Sequence, residues 1–354
     1  MTPFKLPDRY TQTTESYEGG HGIVWVYNDT DLHRKVAVKF MKPAEDQSQL
    51  LRELASLRAI RSKHIAQIYD LQFQKNTKKP ALIQEYVAGP DLWDIAKQHP
   101  TGDEILLILY QIASGIADVH DAGKIHRDIN PTNIKRDSEG ILKLLDFGLT
   151  CDAVPEPATQ HARGTHAFRA PEMYLGPPAR ITKAVDTYAF GVTATTIFLD
   201  GKIPGDLKKV PPSLPAPSFT TFASGLRAEI CEILDATLSA SPKDRPEMNK
   251  VRQALADQVL FGKHRALVSE SSGSKQSLLS KPNQAIRLTA GDRYLQIGYD
   301  GAAFKVQDVS SGVSINNTVC SVGITMPESC VITLDTGPTR VFYLFDVSHP
   351  EVVL

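Results

Sequence analysis

The stretch KIHRDINPTNI, residues 124–134, places a histidine, an arginine, an aspartate and an asparagine within one short segment. Phosphoryl transfer needs a carboxylate near the incoming hydroxyl group and oxygen ligands for a divalent metal. Asp128 and Asn133 can supply one of each. Asn130 stands between them, where a lysine would supply positive charge. The stretch therefore predicts a loop suited to phosphoryl transfer, with one residue that puts its efficiency in question.

The bulk composition indicates a globular chain. Its 354 residues are 42% hydrophobic and 22% charged, which is enough for one large domain or two modest ones. The net charge of −1 provides no long-range field, so we expect neither a nucleic-acid nor a membrane partner. We find no apolar run of membrane-spanning length and no secretion signal, and we expect a cytoplasmic location. The four cysteines are scattered, which favours idle thiols over metal ligands.

The first part of the chain predicts a small β-rich lobe. Segments 23–28, 35–41 and 81–87 are apolar, rich in β-branched residues and bounded by turn residues, as strands are. Residues 48–60 carry leucines on a 3.6-residue period, which predicts one amphipathic helix.

The rest of the chain predicts a larger helical lobe and a β-rich tail. Residues 91–262 are mostly helical in pattern, with a long helix over 104–123 that stops at Gly123. Residues 263–283 are rich in serine and predict a flexible linker. Residues 284–354 show short alternating segments separated by glycine turns, so the fold class is α+β with a small all-β C-terminal domain.

A glycine-rich run leads into the first predicted strand, residues 23–28. YEGGHGIV, residues 17–24, supplies Gly19, Gly20 and Gly22, which would let backbone N–H groups approach phosphates, and Val24, which could cover an adenine. A tight hairpin without a ligand explains the same run equally well.

A lysine follows at the end of the next strand. Lys39 in VAVK is costly to bury unless a carboxylate pairs with it, and Glu53 on the polar side of the predicted helix is the candidate partner. Two solvated surface charges are the plainer alternative.

A second acidic motif follows the catalytic stretch. LKLLDFGL, residues 142–149, brings Asp146 out of an apolar strand into a glycine-containing turn. Asp146 and Asn133 are oxygen ligands of the kind Mg²⁺ prefers, and Asp128 is left to orient the attacking hydroxyl. Both motifs in this order, with the lysine strand upstream, exceed what chance would give.

These motifs together make the chain resemble a eukaryotic-type Ser/Thr protein kinase over residues 17–246. The resemblance implies a two-lobed kinase domain over 1–262, with an N-lobe at about 10–87 and a C-lobe at about 91–262. It implies transfer of the ATP γ-phosphate to Ser or Thr of protein substrates, with Mg²⁺ or Mn²⁺ as the metal.

The resemblance also assigns roles to residues. Asp128, Lys39 and Asn130 match catalytic positions, and Asn133 and Asp146 match metal ligands. The matching nucleotide-binding positions are Gly19, Gly20, Gly22, Val24, Ala37, Lys39, Glu53, Glu85, Val87 and Asp91.

Structural partners of the same family are present. APE at 170–172 implies that Glu172 pairs with Arg245, and Asp186 is expected to brace the catalytic loop from a buried helix. Small-molecule kinases of the aminoglycoside phosphotransferase type lack these features, so a protein substrate is favoured.

Four positions depart from the family pattern, and we expect one of them, His21 in place of a common aromatic residue at the loop tip, to be neutral. Tyr17 replaces the first glycine of the loop, Lys135 replaces an apolar residue under the adenine, and Asn130 replaces the lysine that contacts the transferred phosphoryl group. Loss of that charge would weaken stabilisation of the transition state. We expect an active enzyme; the alternative is a weakly active or inactive pseudokinase that acts as a nucleotide-binding signalling scaffold.

The activation segment and the tail complete the expectations. Within 150–172, Thr159 is the expected autophosphorylation site and Thr165 the expected structural threonine. The tail vaguely resembles the later strands of a forkhead-associated domain, without the elements of a phosphothreonine reader. We expect it to dock a protein partner.

Overall fold

A computed structural model describes most of the chain. The described residues are 6–18, 22–41, 48–58, 60–73, 79–153, 156–157, 166–175, 180–273 and 276–351. Gly19, Gly20, Thr159 and Thr165 lie outside them. The chain divides into two compact units, residues 1–252 and 253–354.

The N-lobe of the first unit is a five-stranded antiparallel sheet with one helix. The sheet order is β1-β2-β3-β5-β4. The elements are β1 (Tyr10–Glu18), β2 (Gly22–Asp29), β3 (Arg34–Met41), α1 (Ser48–Arg58), β4 (Ile68–Phe73) and β5 (Pro80–Glu85). The structure confirms the three predicted strands and the predicted helix.

Strand β3 shows how this lobe builds a site. Val36 and Val38 lie in the hydrophobic cluster on one face of the sheet. Because successive side chains of a strand point to opposite faces, Ala37 and Lys39 face the other side, toward the C-lobe. The alternating sequence therefore aims a lysine into the cleft.

The C-lobe is mostly helical. Its elements are α2 (Leu92–Ala96), α3 (Gly102–Asp121), β6 (Lys124–Ile125), β7 (Ile134–Arg136), β8 (Leu142–Leu144), β9 (Cys151–Asp152), β10 (Glu156–Pro157), β11 (Arg180–Ile181), α4 (Ala184–Phe198), α5 (Gly205–Lys208), α6 (Ala228–Thr237) and α7 (Met248–Leu260). A capping box between Thr101 and Glu104 starts α3, and Gly123 follows its end with a φ of 71°. The lobe of strands and the lobe of helices form the expected two-lobed mixed fold.

Helix α4 is the central element of the C-lobe. It is apolar on all sides, as a helix surrounded by protein must be, and its residues 185–197 are buried. Asp186 is fully buried in its first turn. A carboxylate in such a place requires hydrogen-bond donors. The segment 124–134, called the catalytic loop below, supplies two of them.

The second unit is all-β. Its strands are β12 (Ala266–Glu270), β13 (Gln276–Leu279), β14 (Ala285–Ala290), β15 (Arg293–Tyr299), β16 (Phe304–Val309), β17 (Val313–Ile315), β18 (Thr318–Val319), β19 (Ser329–Asp335) and β20 (Arg340–Val347). A six-stranded sheet, β13-β12-β20-β19-β17-β18, and a three-stranded sheet, β14-β15-β16, share one core that includes Ile297, Ile332 and Phe345.

The predicted linker at 263–283 is wrong for most of its length. Strand β12 pairs with both β13 and β20, so that Val268 lies opposite Ser277 and Phe345. The serines misled the prediction because they alternate with apolar residues: Ser269 is half-buried on one face and Val268 is buried on the other. The β unit thus begins before residue 284, and the unit boundary falls inside α7 at 252/253 instead of at 262/263.

Candidate active site

The central feature of the cleft is a cluster of three charges around Lys39. Its Nζ lies 2.9 and 2.8 Å from Glu53 Oε1 and Oε2 and 2.6 Å from Asp146 Oδ1. Lys39 and Glu53 are buried, whereas 39% of the Asp146 side chain is exposed. The alternative of two solvated surface charges is therefore excluded, because helix α1 carries Glu53 directly onto the strand lysine.

The pKa values in this cluster follow from burial and pairing. Burial alone would lower the pKa of Lys39, but the carboxylates of Glu53 and Asp146 raise it above its ordinary value. Burial opposes ionisation of Asp146, yet Lys39 lowers the pKa of Asp146 from 3.8 to about 2. Burial raises the pKa of Glu53, and Lys39 opposes that shift. With both carboxylates ionised, the cluster has a formal charge of −1, and the exposed carboxylate of Asp146 faces the cleft.

The catalytic loop holds Asp128 from two sides. Asn130 Nδ2 donates to Asp128 Oδ1 at 3.1 Å, and Asn133 Nδ2 donates to Asp128 Oδ2 at 2.9 Å. Both amides also donate to the Asp128 carbonyl oxygen at 3.0 Å. With its amide nitrogen turned to Asp128, Asn133 keeps its Oδ1 as an acceptor.

The geometry corrects the expected role of Asn130. Its side chain is buried and caps the 3₁₀ turn 131–133 by accepting from Thr132 N at 3.0 Å. Its amide already donates to Asp128, so it is not placed to contact a transferred phosphoryl group. The physical reason is the side-chain length: asparagine is short and a strong N-cap residue, whereas a lysine would extend past the turn.

Asp186 holds the loop in place. Its Oδ2 accepts from His126 N at 2.7 Å and from His120 Nε2 at 3.0 Å, and its Oδ1 accepts from Arg127 N at 2.8 Å. Burial disfavours the charged form, but these donors lower the pKa of Asp186 below its ordinary value. The expected brace is thus present.

Two residues of the site have left-handed backbone. Arg127 has a φ of 70° and Asp146 a φ of 56°, a region that non-glycine residues adopt at an energetic cost. The hydrogen bond to Asp186 fixes Arg127, and the ion pair with Lys39 fixes Asp146. Such strain is typical of functional sites.

A cavity of about 320 Å³ lies between the lobes beside this cluster. Nine of the residues expected to bind nucleotide or metal line it: Gly22, Val24, Ala37, Lys39, Glu85, Val87, Asp91, Asn133 and Asp146. Glu53, Asp128 and Asn130 contact the cluster or the loop instead of lining the cavity.

The segment after β5 forms the back of the cavity. Glu85 Oε1 lies 3.0 Å from Lys143 Nζ of β8, and its Oε2 accepts from Gln67 N at 3.1 Å. These contacts tie the segment to the C-lobe strand through the glutamate side chain.

A glycine is needed where the start of β2 runs beside β3. A Cβ on Gly22 would come within 2.6 Å of the Phe40 carbonyl oxygen, which is too close for any other residue. Glycine at this position therefore allows β2 to lie close to β3 beside the cavity.

The residues present suit a nucleotide and a divalent metal. The cavity has the size of small-molecule sites, and the negative cluster leaves Asp146 partly exposed beside the Asn133 oxygen. Among the described residues, no group of three or more His, Cys, Asp or Glu side chains could hold a metal. A metal at Asn133 and Asp146 would thus need phosphate and water oxygens as well, which is the habit of Mg²⁺.

A second buried ion pair lies in the C-lobe. Arg245 Nη1 and Nη2 donate to Glu172 Oε1 and Oε2 at 2.7 and 2.8 Å, which confirms the expected pair. Arg245 also donates to the carbonyl oxygens of Ser239, Ala184 and Ala240.

Six residues that line the cavity are absent from the set predicted to bind nucleotide or metal. They are Tyr17, Gln84, Tyr86, Thr132, Lys135 and Leu145. Tyr86 lies between Glu85 and Val87, which were both predicted to bind nucleotide. Its position directly after β5 could therefore have indicated that it lines the cavity. The resemblance places Tyr17 in the glycine-rich loop and Lys135 under the adenine, but the contact between them depends on how distant segments meet, which no local pattern encodes.

A two-lobed fold with a lysine, glutamate and aspartate cluster beside a cavity defines the phosphotransferase class with a protein kinase architecture. The family comparison agrees: the model for the protein kinase domain matches residues 12–256. The chain belongs to the protein kinase family.

Curated relatives come from bacteria and animals. A serine/threonine-protein kinase, drp72, of Corynebacterium efficiens is 29% identical over 253 residues, which are 64% of this chain and 46% of the relative. The serine/threonine-protein kinase pkn2 of Myxococcus xanthus is 28% identical over 257 residues, 65% of this chain and 30% of the relative. The mitogen-activated protein kinase mpk-1 of Caenorhabditis elegans is 30% identical over 200 residues, 53% of this chain and 44% of the relative. The chain spans less than half the length of these relatives.

Within the described part of the chain, no helix combines the length and the apolar character needed to cross a bilayer.

Proposed function

We propose that the chain is an ATP-dependent protein kinase that phosphorylates Ser or Thr of protein substrates. The observation that carries the proposal is the three-charge cluster of Lys39, Glu53 and Asp146, assembled beside a cavity and next to the loop of Asp128 and Asn133. Membership of the protein kinase family and the serine/threonine kinases among its relatives support the same activity.

The chain's own residues divide the work. In this proposal Lys39, held by Glu53, binds phosphate oxygens of the donor. Asp128, held on both oxygens by amides, accepts the proton of the incoming hydroxyl. The hydroxyl oxygen bonds to the γ-phosphorus as the bond from that phosphorus to the β-phosphate oxygen breaks. Asn130 is a positioning residue for Asp128.

The negative charge of the three-residue cluster supports the proposal that a divalent metal binds beside it. Asp146 and Asn133 are the proposed ligands, and a bound divalent ion would neutralise charge on the phosphates. Mg²⁺ is proposed as the native ion and Mn²⁺ as a substitute, since both prefer oxygen ligands.

A protein substrate and autophosphorylation complete the proposal. The Glu172–Arg245 pair and the Asp186 brace are the features that the resemblance associates with protein substrates. Thr159 stays the proposed autophosphorylation site; it lies outside the described residues. A cytoplasmic location, where ATP is abundant, is kept as part of the proposal.

The pseudokinase alternative is not favoured. Lys39, Glu53, Asp128 and Asp146 are all present, and Asn130, although it lacks the charge of a lysine, supports Asp128. We expect Asn130 to alter the rate and not to abolish it.

For the β unit we propose a docking role toward a protein partner. Its two sheets and shared core give a self-contained module, as interaction domains are. A likeness to a forkhead-associated domain remains a proposal, tested by binding of a phosphothreonine peptide to the full chain. Binding that needs the phosphate would favour a phosphothreonine reader over simple docking.

The proposed activity is tested by transfer from labelled ATP with site mapping by mass spectrometry. Wild type with Mg²⁺ or Mn²⁺ is compared with Asp146→Ala and with the control Asp152→Ala, a carboxylate whose side chain is 66% exposed. We expect labelled Ser or Thr in wild type and control and none with Asp146→Ala. A wild type without any label would contradict the proposal.

A further inference from the structure

Two of the departures from the family pattern meet in space. Tyr17 belongs to β1 of the N-lobe, which forms the roof of the cleft. Lys135 belongs to β7 of the C-lobe, which forms its floor, and both side chains line the cavity. The Lys135 Nζ lies 5.5 Å from the centroid of the Tyr17 ring, within the range of a cation–π interaction. Residues that would be unremarkable singly therefore form one contact between the lobes.

The strand register explains why Tyr17 reaches this place. Tyr17 pairs with Val24, and Val24 pairs with Lys39. Directly opposed residues of antiparallel strands point to the same face, so all three side chains lie on the cleft side of the sheet. Tyr17 is the outermost of the row and stands at the mouth of the cavity, with 49% of its surface exposed.

The back of the cavity is joined to the same place. The Tyr17 hydroxyl lies 3.4 Å from the Tyr86 hydroxyl, and Tyr86 donates to Glu15 Oε2 at 2.7 Å. Burial raises the pKa of Tyr86, so this phenol keeps its proton as a donor. Glu15 is in turn paired with Lys35 at 2.6 Å. Strand β1 is thus anchored to the residue after β5 at one side and to the floor at the other.

Lys135 is held at the floor by its own backbone. It pairs with Lys143 across β7 and β8 and forms an isolated bridge with Asp91. Its side chain is therefore presented from a fixed strand, and its partly buried stem leaves the ammonium at the ring.

We propose that Tyr17 and Lys135 form a clasp across the mouth of the cleft that retains the bound adenine nucleotide. The inference rests on the proposed function for the identity of the ligand. Because the ring and the ammonium join roof to floor, they separate when a nucleotide passes, and their attraction slows its release. In kinases such a step can set the turnover rate, since product release is often slower than the chemistry.

The test is the release rate of N-methylanthraniloyl-ADP with Mg²⁺ from the full chain, measured by stopped-flow fluorescence. A cation–π contact at an exposed site is worth about 0.5–1 kcal/mol, which corresponds to release about two- to five-fold faster when it is lost. We expect this increase for Lys135→Met and for Tyr17→Leu. Lys135→Arg keeps a cation and Tyr17→Phe keeps a ring, so both should release at the wild-type rate.

The double variant Tyr17→Leu with Lys135→Met distinguishes a clasp from two separate effects. We expect it to release no faster than either single variant, because the second change removes nothing that remains. Lys97→Met is the matched control, a lysine on the outside of the C-lobe with 65% of its side chain exposed, and it should leave the rate unchanged.

Two outcomes would overturn the clasp: single variants that release at the wild-type rate, or a double variant whose acceleration equals the product of the two. Phosphate transfer is measured separately on the same proteins. A wild type that binds the probe but transfers no phosphate overturns the proposed activity alone, and the release rates still decide the clasp. A wild type that does not bind the probe overturns both.

Discussion

The first unit contains two buried ion pairs that look alike and differ in how they are completed. Arg245 and Glu172 meet through two parallel hydrogen bonds. The guanidinium also donates to three backbone carbonyl oxygens. Lys39 and Glu53 meet as closely, but Asp146 joins them as a third charge.

The difference lies in net charge and in access to the cleft. The Arg245 pair is neutral, and 0% and 9% of its two side chains are exposed. The Lys39 cluster is negative, and 39% of the Asp146 side chain is exposed. A closed neutral pair can only hold parts of the fold together, whereas an open negative cluster can still bind a cation. The comparison predicts that damage to the first costs stability and damage to the second costs activity.

The largest effect is expected for Arg245→Met. It leaves Glu172 buried without its partner, and breaking such a pair costs about 3–5 kcal/mol of unfolding free energy. Urea unfolding measures the loss. Arg252→Met is the control, since Arg252 pairs with Asp118 near the surface and should cost less than about 1 kcal/mol. Equal losses for the two variants would remove the distinction between the pairs.

The next effect is expected for Asp146→Asn. Loss of the carboxylate should reduce kcat by about 10²- to 10³-fold, because one group that stabilises charge in the transition state is gone. Stability should fall far less than with Arg245→Met. Initial rates and melting curves of the same preparation separate the two losses. An active Asp146→Asn variant, or one that fails to fold, would contradict the assignment of the open cluster to chemistry.

A smaller effect is expected for Asn130→Ala. The amide that holds Asp128 Oδ1 is lost, and we expect kcat to fall about ten-fold with little change in KM for ATP. Asn130→Ser keeps an N-cap oxygen but lacks the amide donor. If the serine variant is as slow as the alanine variant, the amide positions Asp128; if it recovers the wild-type kcat, Asn130 only caps the turn.

The smallest effect is a pH dependence of the open cluster. The pKa of Asp146 is lowered from 3.8 to about 2, so its stabilising contribution is present above 3.8 and is lost as the pH falls through 2. Because the side chain is partly exposed, we expect less than about 1 kcal/mol. The difference in unfolding free energy between wild type and Asp146→Asn should be constant from pH 7 to 5 and shrink below 4. A difference that grows on acidification would show that pairing does not lower this pKa.

Local patterns predicted most elements of the first unit. The alternation in VAVK places Lys39 in a strand. The leucine period predicts the helix α1, but the expectation that Glu53 lies on its polar side is wrong: Glu53 is buried on the same face as Leu50, whereas Leu51 is exposed. The order of the motifs then predicts which segments converge. These features could be read because each depends on residues a few positions apart.

The remaining features depend on contacts between distant segments. Strand β12 pairs with β20, which lies near the other end of the unit in sequence. Because nothing near β12 in the sequence indicates this pairing, its serines suggested a linker. The direction of the Asn130 amide depends on the turn it caps and on the rotamer of Asp128. The meeting of Tyr17 and Lys135 depends on how two strands of different lobes face each other. Hydrophobic periodicity carries no information on any of these.

The carboxylate of Asp186 joins the order of the catalytic loop to that of the C-lobe core. The amides of His126 and Arg127 end on one side chain in a helix that is buried on all sides. Releasing either amide would remove one of the three donors that hold this buried carboxylate, which costs about 1–3 kcal/mol or more for a charged group. Their exchange with solvent hydrogen should therefore be governed by the opening of the core. We therefore expect the loop that holds Asp128 to open only together with the buried helix.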